Sequence, residues 1–189
     1  MNDAAGKKPA PPPAGAPRVT GKKSPTKSAR RRSRELAMQG LYEWLLSGAD
    51  AATIKDHIAE MDGFGKCDRA HFDALLHGGI EQAAALDAIL ARHVDRKTTL
   101  LSPVEHAVLM VGVYELVNCV EIPYRVAINE AVELAKTFGG TDGHRYVNGV
   151  LDQCATELRA VEMRDAPPRT RRATTTATAE PDTPAQSGP

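Results

Sequence analysis

The stretch SARRRSRELAMQGLYEWLL, residues 28–46, joins four arginines directly to an amphipathic segment. Projected on a helix, its apolar residues form one stripe, which consists of Ala37, Leu41, Trp44, Leu45 and Gly48. Arg30 and Arg34 fall on the same line, and a stripe of always-charged guanidinium groups is not expected inside an apolar core. The sequence therefore predicts that the folded body begins near Ala37 and that the arginines face solvent, on an overhanging or unfolded end.

The arginine run is also expected to be conditionally ordered. Positive charge near a helix N-terminus opposes the helix dipole by about 0.3–1 kcal/mol for each residue, and Glu35 offsets only part of this. We therefore predict that Ser28 to Arg34 frays in the free protein and orders when phosphate supplies negative charge. Guanidinium donors suit phosphate oxygens and base edges, so RNA is the favoured ligand. A merely solvated basic tail is the alternative.

Charge is distributed unevenly along the 189 residues, although the whole chain is neutral. Residues 1–34 hold ten lysines and arginines against one acid, a net charge of +9. Residues 35–164 hold 11 against 20, a net charge of −9, and residues 165–189 balance at three of each. A polyanion is therefore expected to bind the basic arm and not the acidic body.

Composition divides the chain into three parts. Residues 1–27 are rich in Pro, Gly, Ala and Lys, and residues 165–189 are rich in Thr, Pro and Ala. Neither end has the aliphatic density that offsets the entropy of ordering, so both are predicted to be disordered tails. Residues 28–164 are long enough for one domain with a single core.

Signals of cellular compartment agree with each other. The N-terminal region is charged and proline-rich without an apolar signal-like segment, and no run approaches the roughly 18 apolar residues of a membrane span. Cys67, Cys119 and Cys154 are odd in number and lie within helical patterns, which favours buried thiols over disulfides or metal ligands. We expect a soluble cytoplasmic protein with no membrane contact.

The body has helical periodicity nearly throughout, which predicts an all-α fold. Asp50 is predicted to cap a short helix, and a longer helical region of uncertain continuity follows from about Arg69 to Val94, with a kink or close helix contact at Gly78-Gly79. The clearest start is SPVE at residues 102–105, with Ser as N-cap and Glu completing a capping box. Further helices are expected after Pro123, ending at FGG of residues 138–140, and from about Asp142.

Several motifs occur in one order along this body. They are ARRRSRE (29–35), QGLY (39–42), VE (104–105), YEL (114–116), IPYRVAINEAVELAK (122–136), FG (138–139) and YVNGVL (146–151). In this order the chain resembles the NusB family of bacterial transcription antitermination factors. The resemblance implies about seven helices in two small subdomains. It also implies binding to the boxA sequence of ribosomal RNA leaders, with the ribosomal protein NusE as partner, within the RNA polymerase elongation complex and its other Nus factors.

The resemblance also implies which residues contact RNA. It assigns Arg30, Arg31, Arg32 and Arg34 to the arginine-rich motif of the family. A second candidate is the turn at residues 141–146, where Tyr146 could stack on an unpaired base or could only pack as a boundary aromatic. Asp142 aligns with a position linked to RNA affinity, and Arg125 and Arg145 are further candidates, although lone arginines are usually solvated.

For NusE, the resemblance points to Tyr42 and Glu105. Glu105 is also the capping-box residue, and its role could be limited to stabilising its own helix by about 1 kcal/mol. Tyr42 could be a residue at the boundary of the core. Both roles can coexist.

The sequence gives no sign of catalysis, since phosphate loops, nucleophile elbows and paired metal-ligand motifs are absent and the six histidines are scattered. We expect no catalytic residue, metal or cofactor. One alternative comes from the fold, because a NusB-like domain precedes the catalytic domain of certain RNA cytosine methyltransferases. The chain could then serve an rRNA-modifying enzyme in trans. Another alternative is an assembly scaffold that is indifferent to RNA sequence.

Overall fold

A computed structural model describes residues 27–165, with the side chains of Lys27 and Ser28 excepted. These residues form eight α-helices and no strand, which confirms the all-α prediction. The helices are α1 (Lys27–Ser47), α2 (Ala51–Ala59), α3 (Arg69–Glu81), α4 (Ala83–Leu90), α5 (Pro103–Asn118), α6 (Tyr124–Phe138), α7 (Gly143–Leu158) and α8 (Ala160–Asp165). Short 3₁₀ turns lie at Phe64–Lys66 and Thr98–Leu100. The predicted tails lie outside the described residues, except for Lys27, the first residue of α1, and Asp165, the last residue of α8.

The predicted helix starts at Asp50 and Ser102 are confirmed. The Asp50 carboxylate accepts hydrogen bonds from the amides of Ala52 and Thr53, both at 3.0 Å. Ser102 Oγ accepts from the Glu105 amide at 3.2 Å, and its hydroxyl donates to Glu105 Oε2 at 2.9 Å. The two side chains therefore hold each other at the start of α5, as a capping box does.

The helical region predicted from Arg69 to Val94 is divided in two. The break lies at Gln82, which separates α3 from α4, and not at the glycine pair. Gly78 instead allows a close approach, because a Cβ there would come within 2.6 Å of two ring carbons of Tyr114. This division and the short α8 bring the six helical segments predicted from periodicity to eight, against the seven or so that the resemblance implies.

The core is continuous, and α5 lies at its centre. α1 packs against α2, α3 and α5, while α5 also packs against α6 and α7. α5 is buried from His106 to Leu116, which explains why its apolar residues occupy every face. Cys119 and Cys154 are buried free thiols, and Cys67 is half-buried. Burial raises the pKa of both buried thiols to about 11, so they stay protonated at neutral pH.

The predicted boundary near Ala37 is wrong. The helix already starts at Lys27, and its first turns lie against the body, where Ser33 and Leu36 are fully buried. Ser33 Oγ lies 2.7 Å from the carbonyl oxygen of Asp68, just before α3. At the other end of the predicted stripe, Gly48 is exposed. The buried part of α1 therefore runs from Ser33 to Leu41, whereas the predicted stripe ran from Ala37 to Gly48.

Candidate nucleic-acid interface

Arg34 is the main correction to the predicted site. Its side chain is only 4% exposed, and its Nε donates to Glu115 Oε1 on α5 at 2.7 Å. Nη1 lies 3.4 Å from Glu130 Oε2 on α6, and His71 Nε2 lies 2.8 Å from the same Glu115 oxygen. A charged residue is accommodated in the core because a buried carboxylate faces it. Arg34 therefore joins α1 to α5, and the prediction that its guanidinium faces solvent is wrong.

The other three arginines of the run remain at the surface, each beside a carboxylate. Arg30 Nε lies 3.5 Å from Asp68 Oδ2, and Arg31 Nε lies 3.5 Å from Glu35 Oε1. Arg32 Nη1 donates to Glu35 Oε2 at 3.0 Å. Ser28 to Arg34 are helical in the structure, and Glu35 and Asp68 supply negative charge of the kind expected from phosphate. Fraying in the free protein stays a prediction, which amide exchange measures. Between 34% and 47% of each of these three side chains is exposed.

Arg32 also contacts the loop between α2 and α3. Its guanidinium donates to the carbonyl of Asp62 and lies against Gly63, where a Cβ would come 2.6 Å from Arg32 Nε. Gly63 has a φ of +88°, which favours glycine. Exposed Lys66 lines the same shallow pocket. Sequence reasoning missed Lys66, because a single lysine in a glycine-rich turn carries no pattern.

Tyr146 is held in place by the connection that precedes α5. Its hydroxyl donates to Asp95 Oδ1 at 3.1 Å, and the Arg96 guanidinium carbon lies 5.4 Å from the ring centre. Arg96 is itself fixed by two hydrogen bonds to Asp95, of 3.0 and 3.1 Å. Burial and the hydrogen bond to Asp95 raise the pKa of Tyr146, so the phenol stays neutral. Sequence reasoning found Tyr146 and missed Asp95 and Arg96.

Glu133 on α6 lies near one arginine of the run and near the start of α7. Its pKa is lowered, chiefly because Lys136 hydrogen-bonds to it and to a smaller extent because Arg31 and His144 are near. Arg31 from α1 and His144 from α7 are therefore both within electrostatic range of one carboxylate. Asp142 and Arg145 pair at 3.1 Å on this turn, with 74% and 78% of their side chains exposed.

Arg125 lies at the start of α6. Its Nε donates to Tyr124 Oη at 3.0 Å, and its guanidinium lies over the Tyr124 ring at 5.6 Å from the centre. Arg125 is thus positioned by its neighbour and is half-buried.

A separate apolar groove of about 520 Å³ lies between α1, α2 and the ends of α5 and α6. Tyr42 lines it and is 38% exposed, together with Leu46 at 59% and Phe138 at 36%. Val104 also lines the groove, whereas Glu105 is not among its lining residues and its Oε1 lies against Gly143 at the start of α7. Exposed apolar surface of this kind commonly marks a protein interface. Of the two residues predicted to contact a protein partner, Tyr42 lines this groove and Glu105 does not.

Other kinds of site receive no support in this part of the chain. Within residues 27–165, no helix combines the length and apolar character needed to cross a membrane. The same residues contain no group of three or more His, Cys, Asp or Glu side chains placed to hold a metal ion.

Comparison with known proteins finds one family throughout. The model of the NusB family matches residues 31–156. The transcription antitermination protein NusB of Ralstonia pickettii is 60% identical over 141 residues, which cover 75% of this chain and 91% of that protein. The protein of the same name from Acidovorax sp. is 52% identical over 142 residues, covering 75% of this chain and 80% of that one.

Two solved structures have the same fold. T. maritima NusB is 28% identical with a TM-score of 0.63, over 74% of this chain and 99% of that chain. A structure of antitermination factors NusB and NusE in complex with dsRNA aligns at a TM-score of 0.62 and 21% identity, over 70% of this chain and 99% of that chain. The order of motifs, the helical fold and the extent of these matches agree, and this chain belongs to the NusB family.

Proposed function

We propose that this chain is a cytoplasmic bacterial transcription antitermination factor. It binds boxA-type sequence in ribosomal RNA leaders together with NusE, and the pair joins the RNA polymerase elongation complex with the other Nus factors. The name of the 60% identical relative and the presence of NusE and RNA in a related complex support this proposal. It requires no catalysis by this chain. The observation that carries it is the basic surface of α1, where the side chains of Arg30, Arg31 and Arg32 are 34–47% exposed.

On this surface, the RNA backbone crosses Arg30, Arg31 and Arg32, whose partly exposed guanidinium groups bind phosphates. Tyr146 supplies a fixed aromatic face for an unpaired base. Arg125, Asp142 and Arg145 flank this path. Arg34 is not assigned a phosphate, since its side chain is 4% exposed and its Nε and Nη1 face Glu115 and Glu130.

NusE occupies the apolar groove at Tyr42. The groove offers exposed aromatic and aliphatic side chains, an arrangement typical of protein interfaces, while the Glu105 carboxylate lies outside it, beside Gly143. Glu105 keeps one carboxylate oxygen, Oε1, that is not used by the Ser102 hydroxyl. Capping and partner binding therefore remain compatible.

Titration with two RNAs tests the proposal. In the presence of NusE, a boxA-type RNA should bind at least tenfold more tightly than a scrambled RNA of equal composition, because base contacts add to the shared phosphate contacts. Tyr42→Asp should remove the gain that NusE provides, since it places a charge in the apolar groove. Equal affinity for both RNAs would indicate an assembly scaffold, or a factor that assists an rRNA-modifying enzyme, instead.

The carboxylates beside the arginines are expected to weaken RNA binding. Glu35 contacts both Arg31 and Arg32, so a phosphate must displace it or share these donors. Glu35→Gln should raise the affinity for boxA RNA by roughly threefold to tenfold at low salt and should steepen the salt dependence. Glu157→Gln, which removes one acid paired with Arg92 near the end of α7, is the matched control. An affinity that is unchanged or lower for Glu35→Gln contradicts competition by this carboxylate.

A further inference from the structure

We propose that a groove between α1 and the start of α6 binds one unpaired base of the RNA, at a site separate from Tyr146. The inference rests on the proposed function and deepens it. The groove has a volume of about 390 Å³, which is within the roughly 300–1,000 Å³ range of small-molecule sites. Its lining consists of Arg30, Arg34, Glu121, Ile122, Pro123, Val126, Asn129 and Glu130.

One wall of the groove is apolar and accessible. Ile122 and Pro123 come from the turn before α6, and Val126 follows on the first turn of that helix with 42% of its surface exposed. A nucleobase presents a flat apolar face to such a wall, and burying both surfaces is favourable. The wall therefore suits a base better than it suits a charged or fully hydrated group.

The polar side of the groove carries hydrogen-bonding groups suited to a base edge. Among the described residues, none hydrogen-bonds to the exposed Asn129 side chain, so its amide has a free donor and a free acceptor. Val126, Asn129 and Glu130 are spaced by three and four residues, which places them on one face of α6. Asn pairs with the N6 and N7 edge of adenine, and Glu accepts from the amino group of cytosine.

The charges in the groove determine which part of a nucleotide can bind inside it. Glu121 and Glu130 place two carboxylates along it, which disfavours a phosphate inside. Glu130 is balanced in part by Arg34, at 3.4 Å. Arg30 also lines the groove, and its side chain is 35% exposed. The groove therefore fits one nucleotide. Its phosphate lies at Arg30, and its base, an adenine or cytosine with an amino group, lies against Asn129.

Scanning a synthetic boxA-type RNA with abasic nucleotides tests the inference, using the full chain together with NusE. Asn129→Ala should lower the affinity for intact RNA by about tenfold. On RNA with an abasic nucleotide at one particular position, the variant and the unchanged protein should bind equally, because the lost contact no longer exists. Asn118→Ala, at an exposed asparagine outside the groove, should bind intact RNA as the unchanged protein does.

Val126→Ala is the second variant, and it reduces the apolar wall without touching a hydrogen bond. It should lower the affinity for intact RNA by about threefold, and its effect should vanish at the same abasic position as that of Asn129→Ala. A uniform loss at every abasic position, or no loss for either variant, overturns the base site. Such a result leaves the proposed function standing as long as the unchanged protein still prefers boxA RNA over scrambled RNA.

Discussion

Replacing Glu115 by alanine is expected to destabilise the fold by about 3–5 kcal/mol, which corresponds to a fall of roughly 10–20 °C in Tm. The reason is that Arg34, only 4% exposed, would lose the carboxylate to which its Nε donates at 2.7 Å. Glu130, at 3.4 Å and 28% exposed, is too distant and too hydrated to replace it fully. Thermal and denaturant unfolding followed by circular dichroism measures the change.

The double variant Arg34→Met with Glu115→Leu separates the cost of an unpaired charge from the value of the pair. Glu115 Oε2 finds no hydrogen bond among the described residues, so the buried pair is only partly compensated for its lost hydration. Removing both charges should therefore recover at least half of the stability lost in Glu115→Ala. A loss below about 1 kcal/mol for Glu115→Ala would mean that Arg34 reaches water or another acid.

The same pair explains where sequence reasoning succeeded and where it failed. The helices, the caps at Asp50 and Ser102, and the apolar faces all follow from patterns within about four residues. The fate of Arg34 depends on Glu115, which lies 81 positions later in the chain. A helical projection shows that Arg34 shares the apolar face, but it does not show which residue opposes it.

The surroundings of Tyr146 could likewise be predicted only in part from the sequence. The local sequence placed this ring on the flank of α7, and its hydroxyl is held by Asp95, which lies 51 positions earlier. Asp95 and Arg96 occur in a connection without periodicity, so only the packed fold brings them to the ring. Likewise, the groove at Asn129 exists only because α1 and α6 meet. Local elements could thus be predicted from the sequence, whereas pairings between distant elements required the structure.

Changing Arg30, Arg31 and Arg32 together to alanine is expected to lower the affinity for boxA RNA by roughly 50-fold at 0.15 M salt. If each contacts one phosphate of a single strand, their loss reduces the slope of log K against log salt by about 2. If all four arginines contacted phosphates, the slope would fall by about 3. The smaller expected change reflects the burial of Arg34. Fluorescence titration at several salt concentrations measures both quantities, and an unchanged Tm establishes that the variant remains folded.

Two controls decide whether the effect belongs to this surface. A triple alanine variant at Lys55 in α2, Arg92 in the turn after α4 and Arg164 in α8 removes the same charge elsewhere. It should change the salt slope by less than about 0.5, because none of these elements belongs to the proposed RNA path. Arg34→Ala should lower stability yet leave the slope unchanged at temperatures where it is folded. A slope reduced by about 0.7 in folded Arg34→Ala would return this residue to the RNA interface. An equal change in both triple variants would mean that RNA senses only net charge, so the arginine run would lose its specific role.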